Sequence, residues 1–169
     1  MHEKDLRFRV AIVTVSTSRF EKYGNLRGLE NIPSDDESGK EILDAFGDLV
    51  VDYCLVADDI FQIRSAVFEM LKRAEVCILT GGTGLNPRDL TIEALENFFD
   101  KKIDGFGEIF RMKSFEEISY SAILSRATAG IIDGKVIFCL PGSKKAVKLG
   151  VEIIRNSVKH ILSHAMGQS

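Results

Sequence analysis

Four short apolar runs, Val10 to Val15, Leu49 to Val56, Glu75 to Leu79 and Lys135 to Leu140, constrain this chain more than any other feature. They are rich in Val and Ile and do not alternate with polar residues. That pattern belongs to strands buried on both faces of a parallel sheet. Helical spacing fills the intervals: Ile42, Leu43 and Phe46; Ile60, Ile63, Val67 and Leu71; Val147, Val151, Ile154, Val158 and Ile161. Strand and helix in alternation imply right-handed crossovers with helices on both sheet faces. The expected fold is α/β, a three-layer α/β/α arrangement with a mostly parallel central sheet. With 169 residues, 45% of them hydrophobic, the chain has enough core for one domain spanning 1–169.

Two stretches interrupt the alternation. Thr17 to Glu37 carries Gly24, Gly28, Pro33 and the acidic run Asp35-Asp36-Glu37, and reads as a long connection with little periodicity that borders a site. The acidic run itself reads as a solvated loop. The second stretch, 101–134, reads as a small inserted subdomain. Its GFGEIFRMKSFEEI segment is helical in pattern, and SAILSRATAGIIDGK ends at an Asp133-Gly134 hairpin turn.

Several classes of function are excluded by what the chain lacks. A net charge of -3 and the absence of any block of five Lys or Arg argue against nucleic acid as partner. No run reaches eighteen apolar residues and no signal peptide is visible, so a cytoplasmic protein without membrane contact is expected. Cys54, Cys77 and Cys139 sit inside apolar runs without metal-ligand spacing and read as buried thiols in a reducing compartment. His2, His160 and His164 are terminal or nearly so, and no zinc is assigned to them.

In open α/β sheets ligands bind beyond the carboxyl ends of the strands. The residues that follow the four runs are Ser16, Thr17 and Ser18; Asp58 and Asp59; TGGTGLNPRD, Thr80 to Asp89; and PGSKK, Pro141 to Lys145. Together they supply hydroxyls, glycine-exposed amides, carboxylates and cations, the groups that grip phosphates with a divalent cation. The loop is neither a Walker A motif nor a Rossmann fingerprint. Yet Gly81, Gly82 and Gly84, with Arg88-Asp89 behind them, exceed the needs of a turn and point to anion binding. PGSKK opens the last helix, where exposed amides favour a phosphate or simply start the helix. Asp58 precedes the helix from Ile60, so capping competes with catalysis for it.

These stretches also carry a resemblance. VAIVTVSTSR, SGKEI, VADD, TGGTGLNPRDLTIEA, GFGEIFRMKSFEEI, SAILSRATAG and IFCLPGS together resemble the MoaB/MogA family of molybdenum cofactor biosynthesis proteins, which is related to gephyrin-type G domains. GFGEIFR resembles the MoaB branch. The resemblance covers nearly the whole chain and implies Mg²⁺- and ATP-dependent adenylylation of molybdopterin with release of pyrophosphate. It also admits a molybdopterin-binding carrier, or an oligomeric scaffold of the same pathway. Molybdenum-insertion domains and CinA-type nucleotide pyrophosphatases share the implied fold but depart from TGGTG and NPRD.

By position, the resemblance makes Asp58 and Asp89 the catalytic carboxylates, and their chemistry fits them to hold Mg²⁺, directly or through water. Thr80, Gly81, Gly82, Thr83 and Gly84 would hold the pterin substrate and its phosphate. Ser114 would lie at the molybdopterin site, and Pro141, Gly142 and Ser143 would form the family's turn beside it. Ser16 and Arg88 complete the expected substrate contacts, with Lys144 and Lys145 as further candidates for phosphate. The implied partners are ATP and molybdopterin, further copies of the chain in a trimer or hexamer, and the molybdenum-insertion protein.

Overall fold

The computed structural model describes residues 5–168, so His2 lies outside it. In chain order the strands are β1 (Val10–Val15), β2 (Val50–Val56), β3 (Val76–Thr80), β4 (Lys101–Lys102), β5 (Thr128–Ile132) and β6 (Lys135–Leu140). The helices are α1 (Thr17–Tyr23), α2 (Glu37–Phe46), α3 (Ile60–Leu71), α4 (Thr91–Leu95), α5 (Asp104–Ile118) and α6 (Lys144–Ala165). All six strands join one sheet in the order β2-β1-β3-β6-β5-β4. The four apolar runs form its parallel part, and every residue of β1 and β3 is buried, which is why those runs do not alternate.

Each sheet face has its own core. Ile42 and Phe46 of α2, Phe106 and Phe110 of α5, and Val147 and Ile154 of α6 pack with Ile12, Leu55, Ile78 and Phe138. On the other face Ile63 and Val67 of α3 and Leu95 of α4 meet Val13, Leu79 and Ile137. The three cysteines lie in this second core, and burial pushes the Cys54 and Cys139 thiols up to about 12. They remain protonated and unreactive at neutral pH. Among the described residues no helix is long and apolar enough to cross a membrane.

The segment 101–134 takes the form of an antiparallel extension of the same sheet. β5 pairs with β6 and β4 with β5, while α5 packs over the first core. The Asp133-Gly134 turn closes the β5–β6 hairpin with positive φ at both residues, +50° and +73°, as a two-residue turn of this hand requires.

Two expectations need correction. Thr17 to Glu37 is not irregular throughout, because α1 occupies its first third and a 3₁₀ turn follows at Leu29–Asn31. None of the α1 residues is fully buried, and the half-buried pair Phe20 and Tyr23 is too short a stripe for the sequence to display. The acidic run is not wholly solvated either. Asp36 is 0% exposed, N-caps α2 by accepting from the Gly39 amide at 2.9 Å, and accepts the Thr14 and Tyr53 hydroxyls at 2.7 Å each.

Candidate active site

The parallel strands end level. Thr14 pairs with Thr80, Thr80 with Leu140, and Val15 with Val56, so the residues that follow gather at one edge. The glycine loop is fastened there from below. The Gly81 amide donates to the Leu140 carbonyl at 3.0 Å, and the Thr80 hydroxyl to the Pro141 carbonyl at 3.1 Å. Gly81 and Gly82 have φ of +97° and +69°. A side chain on Gly81 would strike the Val15 carbonyl, and one on Gly82 would sit 2.6 Å from Asp58 Oδ1, so only glycine fits either place.

Thr91, fully buried at the start of α4, turns the loop. Its hydroxyl donates to the Gly81 carbonyl at 2.8 Å, and its amide to the Gly82 carbonyl at 2.9 Å. In a trans peptide the N–H opposes the C=O, so the amides of Gly82 and Thr83 face the other way. Among the described residues the amides of Gly82, Thr83 and Gly84 have no acceptor, which leaves a run of donors open to an anion.

Two carboxylates flank this run. Asp58 Oδ2 accepts the Thr17 hydroxyl at 3.2 Å, while Oδ1 is buried and has no hydrogen-bond partner. The cap of α3 is Asp59, which accepts from the Gln62 amide at 2.9 Å, so Asp58 is released from the capping role that its position suggested. Burial pushes the Asp58 carboxyl above the ordinary aspartate range; the Thr17 hydroxyl opposes that rise and the Asp89 charge adds to it. Asp89 closes a tight turn, with its amide donating to the Asn86 carbonyl at 2.8 Å and Oδ2 accepting the Asn86 amide at 3.2 Å. A side chain on Gly84 would sit 2.5 Å from Asp89 Oδ2, so the loop runs between the two acids.

The cleft above the loop measures about 440 Å³ and is lined by Gly81 to Gly84, Asp89, Leu124 to Arg126 and Pro141 to Ser143. That volume lies in the range of small-molecule sites. The structure brings Asp89, Gly81, Gly82, Thr83, Gly84, Pro141, Gly142 and Ser143 together at this cleft, and Asp58 adjoins it behind Gly82. Thr80 lies beneath as a fastening hydroxyl, and Ser143 also caps α6. Ser16 caps α1 at the same edge. Ser114 faces inward from α5 and is buried, outside the lining of the cleft. Arg88 is exposed and, among the described residues, its side chain makes no hydrogen bond or ion pair, and exposed Lys145 pairs with Glu117 at 3.7 Å.

Three further residues shape the site. Thr91 holds two loop carbonyls, Ser38 donates to the Gly142 carbonyl at 2.8 Å, and Arg126 donates to the carbonyls of Thr83 and Gly84 at 3.0 and 2.8 Å. All three sit inside the segments that carry the family resemblance, but only their partners disclose what they do. Among the described residues no group of three His, Cys, Asp or Glu side chains forms a metal cage. Mg²⁺ does not require one, since it is commonly held by one or two carboxylates together with substrate phosphates. The unpartnered Oδ1 of Asp58, near Asp89, fits that mode.

Fold and site together define an α/β domain with open loop amides and two neighbouring carboxylates at the carboxyl edge of a parallel sheet. The chain belongs to the family described as "Probable molybdopterin binding domain", whose model matches residues 11–160. It is 49% identical over 138 residues to "Molybdopterin adenylyltransferase" of Pyrococcus furiosus, covering 78% of this chain and 81% of the relative. It is 40% identical to "Probable molybdopterin adenylyltransferase" of Methanocaldococcus jannaschii, over 97% of this chain and 98% of the relative. The solved structure of "tungsten cofactor synthesizing protein MoaB from Pyrococcus furiosus" superposes with a TM-score of 0.82 at 42% identity, covering 96% of this chain and 98% of that one.

Proposed function

We propose that this chain transfers the adenylyl group of ATP to molybdopterin and releases pyrophosphate. The observation that carries the reading is the buried, unpartnered Oδ1 of Asp58 beside a loop whose amides at Gly82, Thr83 and Gly84 are open. The names of the two archaeal relatives support the same reaction.

In this reaction the terminal phosphate of molybdopterin attacks the α-phosphorus of ATP. A phosphoanhydride bond to AMP forms, the bond from the α-phosphorus to the bridging oxygen breaks, and the electron pair leaves with pyrophosphate. A phosphate monoester has a second pKa of about 6, so the nucleophile is already anionic and needs no general base. The barrier is the approach of two anions and the charge that gathers on the leaving group. The open amides give fixed positive dipoles to one phosphate without reorganisation. Asp58 and Asp89 would hold Mg²⁺, directly or through water, and the ion supplies positive charge to the nucleotide phosphates. Thr17 orients Asp58 by its hydrogen bond, and Gly82, lacking a side chain, lets the loop backbone pack directly against that carboxylate and Thr91.

The test is direct. Purified protein is mixed with molybdopterin and Mg-ATP, and adenylylated molybdopterin and pyrophosphate are followed, with Asp89→Asn as control. Both products from the wild type and neither from the variant are expected. Binding of molybdopterin by the wild type without either product would make the chain a carrier.

Self-association belongs to the same proposal. Ile109, Met112, Phe115 and Ile118 of α5, with Tyr120, Ile123 and Leu124 of the 3₁₀ segment Ser119–Leu124, are all exposed. A helix apolar on both its faces is one that expects cover. Sedimentation should find a trimer or hexamer, and a monomer at working concentration would contradict this part.

A further inference from the structure

Arg126 stands 43 residues beyond Thr83 in the sequence, in the link between the 3₁₀ segment and β5, yet all three of its guanidinium nitrogens serve the glycine loop or the helix behind it. Nε donates to the Thr83 carbonyl at 3.0 Å and Nη2 to the Gly84 carbonyl at 2.8 Å. Nη1 pairs with Glu93 Oε1 of α4 at 2.6 Å. Thr91 fixes the incoming half of the loop through the Gly81 and Gly82 carbonyls, and Arg126 fixes the outgoing half. Because carbonyl and amide oppose each other in a trans peptide, holding the Thr83 and Gly84 carbonyls also sets the direction of the Gly84 and Leu85 amides.

We infer that Arg126 is a positioning residue for the adenylyl-transfer site, keeping the loop in its anion-receiving form through its backbone. The inference rests on the function proposed above. A lysine cannot take its place, since an ammonium is a single point of charge, whereas the planar fork reaches two carbonyls and a carboxylate at once.

The test compares wild type with Arg126→Lys in two readouts: NMR order parameters of the Gly82 to Leu85 amides in deuterated protein, and steady-state kinetics with molybdopterin varied. Loop order parameters near 0.85 in the wild type should fall toward about 0.6 in the variant, with β3 and α4 unchanged. KM for molybdopterin should rise about tenfold, because displaced loop amides bind the phosphate poorly. A role confined to folding would lower the amount of active enzyme, and so kcat, without moving KM. Unchanged loop order, or a wild-type KM, overturns the inference. If the wild type makes no adenylylated product, the proposed function fails on its own, and loop order with equilibrium binding of molybdopterin still decides the role of Arg126. Should Arg126→Lys not fold, Glu93→Gln loosens the same fork, and its failure to shift either readout counts equally against the inference.

Discussion

Two aspartates flank the carboxyl end of β1, and their surroundings are opposite. Asp36 accepts three hydrogen bonds, from the Thr14 hydroxyl, the Tyr53 hydroxyl and the Gly39 amide, and is fully buried. Asp58 accepts the Thr17 hydroxyl on one oxygen, and its other oxygen is buried without a well-aligned hydrogen bond. Buried polar atoms are nearly always paired, so each arrangement carries information. Asp36 is finished within the fold: it caps α2 and ties that helix to β1 and β2. Burial and the Asp36 hydrogen bond both push the Tyr53 phenol well above its usual range, so Tyr53 stays a donor at any working pH. Asp58 is unfinished within the fold, and its proposed role toward a ligand rests on that contrast.

The largest expected effect breaks the finished side. Asp36→Ala strands two buried hydroxyls and removes a helix cap, at a cost of about 3 kcal/mol or more. Urea unfolding measures it, and a loss below about 1 kcal/mol would mean that Asp36 does not organise the sheet edge. Gly82→Ala tests the other side. It forces a side chain at a φ of +69° against Asp58 and Thr91, so turnover should be abolished while stability drops by about 2 kcal/mol. Active Gly82→Ala protein would show that the close fit of the loop against Asp58 and Thr91 is not needed for turnover.

Tyr53→Phe removes one of the three donors to Asp36 and should cost about 1 to 2 kcal/mol without changing KM for molybdopterin. A changed KM would join the two aspartates into one unit. The smallest effect concerns pH. The Asp58 pKa is raised in the folded protein, so between 3.8 and that raised value the native state holds a proton that the unfolded chain has released. Native stability therefore gains as pH falls through this window. Above it, Asp58→Asn should raise Tm by about 2 °C, and the difference should vanish below the unfolded value. A lower Tm for the variant at neutral pH would make Asp58 a structural residue like Asp36.

The architecture was legible because its signals are local. Strands buried on both faces show as unbroken apolar runs, and the glycine loop declares itself by composition. What escaped depended on distant partners. Asp36 looked solvated because the hydroxyls that bury it belong to Thr14 and Tyr53, on two other elements. Asp58 and Asp59 are equal candidates for a cap by type, and the path of the chain after Val56 decides between them in favour of Asp59. Arg126 shows no chemistry by position, since the carbonyls it grips lie in a loop that folds beside it only in three dimensions. Short α1, half-buried only at Arg19, Phe20 and Tyr23, offers too little periodicity to find.

The most direct measurement is single-turnover formation of adenylylated molybdopterin by Asp58→Asn with Mg-ATP. The variant should fold, bind molybdopterin and form product about 10²-fold more slowly than the wild type, the scale expected when a preorganised charge-stabilising group is lost. Product formed at the wild-type rate would contradict the assignment of the unpaired carboxylate to the reaction.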